Sequence, residues 1–310
     1  MRKSAMIDAH AHIFSSLNGL TGSGPVRGLD YAQAQVSDEP PFQLFPPYAR
    51  DTSFPPEILL ANMDWAGVDR AVLLQGSFYG ARNDEVRAAC EKYPDRFVGA
   101  AFLDPWTPDP KSEFDRLFSG NGFGILKIEF SHETGLHGLH PGSRLDDGQL
   151  DWLWKLLEER DIVLTVDLGR VGGPAYQTDA IRKIAANHSS LKVVICHLGW
   201  PIAEIDQSAE LRALWEDQVT VGQLPNVWFD LSALPHRAEQ SYPYPRMIDW
   251  IRYALEVVGH AKLMWGTDAP GVLSGGTYPQ LLSAYTEQLV DLTAAEQDAI
   301  FGKTASLVYG

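Results

Sequence analysis

The chain has 310 residues, 45% of them apolar and 21% charged, enough to bury one large core; its two cysteines, Cys90 and Cys196, match no metal, redox or disulfide spacing. A formal net charge of −15 sets up a negative surface field that argues against nucleic acid and anionic membrane surfaces as partners. Met1-Arg2-Lys3 is basic, but no apolar run follows as in a signal peptide, and no stretch approaches the ~20 apolar residues of a membrane span, so the cytoplasm is the expected location.

Short β-rich runs alternate with amphipathic runs along the chain. Strands are expected at 5–8, 70–74, 97–103, 124–130, 162–168, 192–197, 227–231 and 262–265, and helices between them at 56–66, 83–93, 150–160, 178–188 and 246–258. Eight βα pairs predict one α/β domain over residues 1–310, a closed (β/α)8 TIM barrel with its helices outside. An open doubly wound sheet is the alternative, but it would want a glycine-rich phosphate turn after its first strand. Gly22-Ser23-Gly24-Pro25-Val26-Arg27-Gly28 misses that spacing by one residue, and Gly302-Lys303-Thr304 lacks the earlier glycine of a phosphate loop because Gln297 stands there.

The first strand leads into His10-Ala11-His12, whose two imidazoles point the same way and can hold one ion; the competing reading is a hydrogen-bonded pair without metal. Residues 14–53 then show no periodicity and are rich in Gly, Pro and aromatic side chains, which predicts a long loop on the catalytic side acting as a lid. Trp106 follows strand three. In strand four, alternation places Lys127 and Glu129 on one face, Lys127 as an electrostatic brace or substrate contact and Glu129 as an extra oxygen ligand. His132, His137 and His140 crowd the loop behind it, and strand five brings Asp167 and then Arg170. Strand six ends on His197, strand seven is followed by Ser232, His236 and Arg237, and strand eight delivers Asp268. Asp268 can carry a proton during attack by water, or it can simply cap the turn at Ala269-Pro270. Arg170 or Arg237 could grip a carboxylate of a small-molecule substrate. Among nine tryptophans, Trp106 and Trp200 are the two placed to face it.

Ile7-Asp8-Ala9-His10-Ala11-His12, Cys196-His197-Leu198-Gly199-Trp200-Pro201, Met264-Trp265-Gly266-Thr267-Asp268-Ala269-Pro270 and the tail Ile300-Phe301-Gly302-Lys303-Thr304-Ala305-Ser306-Leu307 occur in that order. In this order they make the chain resemble the amidohydrolase superfamily, specifically the amidohydrolase-2 branch with its sugar lactonases, pyrone-dicarboxylate lactonase and nonoxidative decarboxylases. The resemblance implies a barrel with His10 and His12 after strand one, His197 after strand six and Asp268 after strand eight. Binuclear members usually carry a histidine after strand five; Asp167 stands here, which points toward the lactonases and away from a second ion. The expected activity is metal-assisted hydrolysis of a lactone, cyclic amide or related ester. One zinc or manganese ion is expected on His10, His12, Asp268 and Glu129, with Asp268 moving the proton and His197 polarising the carbonyl. A metal-free hydrolase, with the three histidines binding the carbonyl oxygen, is a variant. A metal-dependent decarboxylase or hydratase of an aromatic or unsaturated acid is the alternative class. A monomer and a homo-oligomer are both compatible with the composition.

Overall fold

The computed structural model describes residues 4–310; Met1-Arg2-Lys3, read above for targeting, lie outside the described residues. Eight parallel strands form the centre: β1 (Ile7–Ala11), β2 (Arg70–Leu73), β3 (Phe97–Gly99 and Ala101–Phe102), β4 (Ile125–Glu129), β5 (Val163–Asp167), β6 (Val193–Ile195), β7 (Val227–Asp230) and β8 (Leu263–Met264). Neighbours pair in chain order, and β3 changes partner at Ala100, its first half on β2 and its second on β4. The ring closes where Ala9 N–H donates to Trp265 O at 3.0 Å, Asp268 N–H to His10 O at 2.7 Å and His12 N–H to Ala269 O at 2.8 Å. The eight-stranded barrel expected from the alternation is therefore the fold.

The helices begin and end where side chains can satisfy their ends. Pro56–Ala66 starts on a proline and stops at Gly67, which takes the left-handed φ of 72° that closes a helix. Tyr278–Thr286 is opened by a capping box between Thr277 and Gln280. Inside the barrel, Ile7, Ala9, Ile125, Val163, Val194 and Met264 pack with Ala305 and Val308 of the last helix, Thr304–Tyr309, which fills the base. Among the described residues, no helix is long and apolar enough to cross a membrane.

Three expectations shift. The first strand lies at Ile7–Ala11 rather than 5–8, so His10 sits within it; its register slips between Asp8 and Ala11, a bulge that breaks the alternation. Strand six stops at Ile195, because His197 and Leu198 turn left-handed (φ 57° and 53°). The unperiodic segment after strand one is not a bare loop: Leu20–Thr21, Gly24–Gly28, Gln33–Val36 and Phe42–Gln43 make a four-stranded antiparallel sheet. Strands of two to five residues are too short to show a period of two in sequence. Phe45, 1% exposed, anchors this sheet between Phe14 and Phe54 at ring distances of 6.1 and 5.9 Å.

Candidate active site

At the C-terminal mouth of the barrel, β1 and the turn after β8 bring three acceptor atoms together. His12 Nε2 lies 3.0 Å from Asp268 Oδ1 and 3.2 Å from His10 Nε2, and His10 Nε2 lies 3.5 Å from the same Asp268 oxygen. The opposite ring atoms fix why these are lone pairs. His12 Nδ1 is 2.9 Å from Leu74 O, which can only accept, and His10 Nδ1 is 3.1 Å from Asp230 Oδ2, so the tautomer that fits each site has its proton on Nδ1. Burial pushes His10 down to about 4, which keeps it neutral. For Asp268, burial pushes upward, but the neighbouring His12 and the fields of His197 and His10 win and hold its carboxyl well below the usual range. Two imidazole lone pairs and a carboxylate converging in a buried mouth suit a divalent cation, and these three donors fall within 4.8 Å of one another. A second trio, His10, Cys196 and Asp230, is equally compact, yet Lys127 Nζ lies 3.1 Å from Cys196 Sγ and its positive charge opposes a cation there.

Asp230, the last residue of β7, organises the layer beneath. Its Oδ1 accepts from His197 N–H at 2.9 Å, Ser232 N–H at 3.1 Å and the Ser232 hydroxyl, while Oδ2 holds His10. Burial opposes its charge, but His10 and His197 outweigh it and keep Asp230 ionised far below the usual carboxylate range. His197 stacks on His10 with ring centres 4.7 Å apart, and both its nitrogens have protein partners: Nδ1 meets Ser232 Oγ at 2.8 Å and Nε2 meets Asp167 Oδ2 at 3.2 Å. Asp167 raises the His197 pKa against the effect of burial, and His197 in turn holds Asp167 down. The left-handed turn that carries His197 is pinned by Trp215 Nε1–H on Leu198 O at 2.9 Å and Tyr176 O–H on Gly199 O at 2.8 Å. Gly199 itself has φ 71°, and a Cβ there would meet Gln218 Cγ at 2.8 Å.

Lys127 and Glu129 do share the inner face of β4, but at different depths. Lys127 is fully buried, 3.1 Å from Cys196 Sγ and 3.6 Å from Glu129, and it is absent from the cavity lining. That position sets it apart from the substrate contact expected above; burial opposes its charge, but Cys196 first, then Glu129 and Asp167, raise its pKa. Glu129 lines the cavity and accepts from Ser131 Oγ at 2.6 Å, and it stands outside the compact donor trio of His10, His12 and Asp268. Burial, reinforced by Asp167, pushes its pKa up to about 7. Between the ordinary glutamate value and that point the folded chain binds the proton more tightly than the unfolded chain, so this group lowers stability as pH rises through the window. Glu129→Gln should therefore be more stable than the wild type by roughly 1 to 2 kcal/mol at pH 8 and gain nothing at pH 4.5, measured by urea unfolding at both.

A cavity of about 990 Å³ opens above these groups, and His10, His12, Glu129, Asp167, Arg170, His197, Trp200, His236, Arg237 and Asp268 all line it. The Arg237 guanidinium lies 3.7 Å over the Trp200 ring, and its buried Nε is without a hydrogen-bond partner among the described residues. Burial lowers its pKa, and that of His236 beside it. Arg170 is more than half exposed and 3.6 Å from Glu133. Trp106 is outside the lining, stacked on Phe130 at 5.6 Å and close to His140, which pairs with Asp104 at 2.8 Å. His132 and His137 face each other at 3.1 Å. Sequence reasoning missed Asp230 and Tyr79. An acid at the end of a barrel strand was a readable signal for the first; the second, whose ring packs 4.6 Å from His12, carried none.

A closed βα barrel that brings two imidazoles from the end of its first strand and an acid from the turn after its last to the C-terminal mouth has the architecture of barrel enzymes, whose active sites lie at that face. The chain belongs to the amidohydrolase family, whose sequence model matches residues 7–310. A curated relative, L-fucono-1,5-lactonase of Burkholderia multivorans, is 28% identical over 141 residues, an alignment spanning 43% of this chain and about half, 48%, of the lactonase. The fold is similar to that of a zinc-bound amidohydrolase from Burkholderia multivorans (TM-score 0.72, 21% identity, 99% of both chains). It is also similar to a probable 2-pyrone-4,6-dicarboxylic acid hydrolase of Acinetobacter baumannii with citric acid bound (TM-score 0.70, 19% identity, 100% of both chains).

Proposed function

We propose that the chain hydrolyses a lactone or related cyclic ester or amide of a small molecule, with Asp268 as the proton carrier. The observation that carries this reading is the convergence of His10 Nε2, His12 Nε2 and Asp268 Oδ1 within 3.5 Å at the floor of the cavity. His10, His12 and Asp268 would hold one divalent ion, zinc or manganese, which when bound supplies electrophilic activation of oxygen. The protein's own part is proton transfer and charge placement. Asp268, ionised at neutral pH, takes a proton from the attacking water as the new bond to the acyl carbon forms. It returns that proton to the ring oxygen or nitrogen as the acyl bond breaks, so that water is consumed and a hydroxy or amino acid leaves. His197, whose proton Asp167 helps hold against burial, would place positive charge beside the oxygen where negative charge develops.

Arg237 fits the reception of a substrate carboxylate: it is half-buried, lies over the Trp200 ring, and has donors to offer in a lining otherwise rich in acids. The citric acid held by the Acinetobacter relative is in keeping with such a ligand. A decarboxylase reading is weaker, because Asp167 is committed to His197 and supplies no nitrogen donor from strand five. The test is turnover of a lactone panel, with and without a carboxylate on the substrate, by protein as purified, after chelation and after zinc or manganese is restored. Loss on chelation and recovery with metal are expected. Undiminished turnover by metal-free protein would favour the histidine-only variant, and carbon dioxide release from aromatic acids without lactone turnover would overturn hydrolysis.

A further inference from the structure

The cavity has two unlike walls. Along the β4 to β7 side stand Glu129, Asp167, Arg237 and Glu239. From the segments after β1 and β2 a ladder of rings runs outward from His12. Tyr79 packs on His12 at 4.6 Å, Phe78 meets Tyr79 edge-on at 5.3 Å, and Phe42 lies 6.5 Å from Phe78. Leu44 lines the cavity beside them.

Phe42 is the informative member. It is 42% exposed, although Phe45 three residues later is 1% exposed. Its strand is not a loose tip. Phe42 pairs with Ala34 and Gln43 with Gln33, Gln43 Nε2–H donates to Tyr31 O at 2.8 Å and Phe45 O at 2.6 Å, and Leu44 N–H donates to Ala32 O at 3.0 Å. The framework thus holds an aromatic ring half in water at the rim, where its exposed part gains burial only when an apolar group covers it. The cavity volume of about 990 Å³ is at the upper end of the ~300–1,000 Å³ usual for small-molecule sites. A bare lactone ring seated on His10, His12 and Asp268 would leave the ladder wet.

We infer that Tyr79, Phe78, Phe42 and Leu44 form a subsite for an extended apolar substituent, so that the substrate is a cyclic ester or amide carrying an alkyl or aryl chain. This rests on the hydrolase reading for the reacting end only; the chain-binding wall stands on its own geometry. A substituent that leaves water for this wall strengthens binding with each carbon added, and the small sheet acts as a fixed specificity wall.

Two series test it, on wild type, Phe42→Ala and Phe42→Leu with matched metal content and circular dichroism. In the first, kcat/KM is measured for lactones whose side chain runs from methyl to octyl. The wild type should gain about threefold per methylene, mainly through KM, Phe42→Ala should lose most of that slope, and Phe42→Leu should keep part of it. In the second, the Kd values of the corresponding ring-opened hydroxyalkanoates are measured by calorimetry and should follow the same pattern. Equal slopes in wild type and Phe42→Ala, or no dependence on chain length, would overturn the subsite. If no lactone is turned over, the hydrolase reading falls, and the binding series still decides the wall: a slope lost in Phe42→Ala supports it and a flat series rejects it.

Discussion

Asp268→Asn is expected to lower kcat about a thousandfold while leaving the fold intact, because in the proposed reaction it removes the group that takes and returns the proton. The backbone accommodates the substitution, but the change also weakens one of the three ligands proposed for the ion, so the comparison is made at matched metal content. Asp268 has a left-handed φ of 71°, a conformation that asparagine tolerates better than most residues. Its backbone N–H still reaches His10 O, and an amide NH2 can donate to the His12 Nε2 lone pair that now faces the carboxylate at 3.0 Å. Loss of turnover with unchanged circular dichroism and melting temperature would locate the defect in chemistry rather than folding. Turnover within tenfold of the wild type would remove Asp268 from the mechanism and leave it as a cap on the turn before Pro270.

The second large effect is expected at a residue that faces no substrate. Asp230 is completely buried and accepts from His10, His197 N–H and both donors of Ser232, so it sets the tautomer of one imidazole and the position of another. In Asp230→Asn the amide can turn its NH2 toward His10 Nδ1, which then becomes the acceptor and moves the ring proton to Nε2, the atom facing Asp268. A protonated Nε2 is no ligand. Metal affinity should fall by about 10- to 100-fold, as for other residues that orient a ligand from behind, and kcat should fall with it unless metal is added in excess. Asp230→Ala should in addition destabilise the chain by about 3 kcal/mol or more, since buried donors and the charges of its partners lose their acceptor. Metal titration separates the two roles: Asp230→Asn recovering activity at high zinc or manganese supports positioning, and full affinity in that variant would refute it.

Much of the barrel was legible because its code is local. Runs such as Val193-Val194-Ile195 and the three- and four-residue spacings of 178–188 record whether a segment is strand or helix, and helix 56–66 carries its own proline start and glycine stop. The strand-end rule likewise singled out His10, His12, His197 and Asp268, which the fold brings to one mouth. It did not separate a contact from a support. Lys127 and Glu129 are two residues apart on one face of β4, yet one is sealed beneath the lining while the other faces the cavity. The small sheet over residues 20–43 was missed for a different reason, its strands being shorter than the period that would reveal them.

The sequence by itself determined the alternation of eight strands with helices, the chemical types at the strand ends and the negative field around them, all of which depend on residues close in the chain or on their sum. Only the tertiary structure decided which nitrogen of His10 meets Asp230, 220 positions away, and that His12 meets Asp268 across 256. Those pairings depend on barrel register, on the slip between Asp8 and Ala11 and on the left-handed turn at His197. The aromatic wall is of the same kind, since Phe42, Phe78 and His12 belong to three separate segments. Periodicity is a property of neighbours, whereas a site is made by closing the ring that brings strangers together.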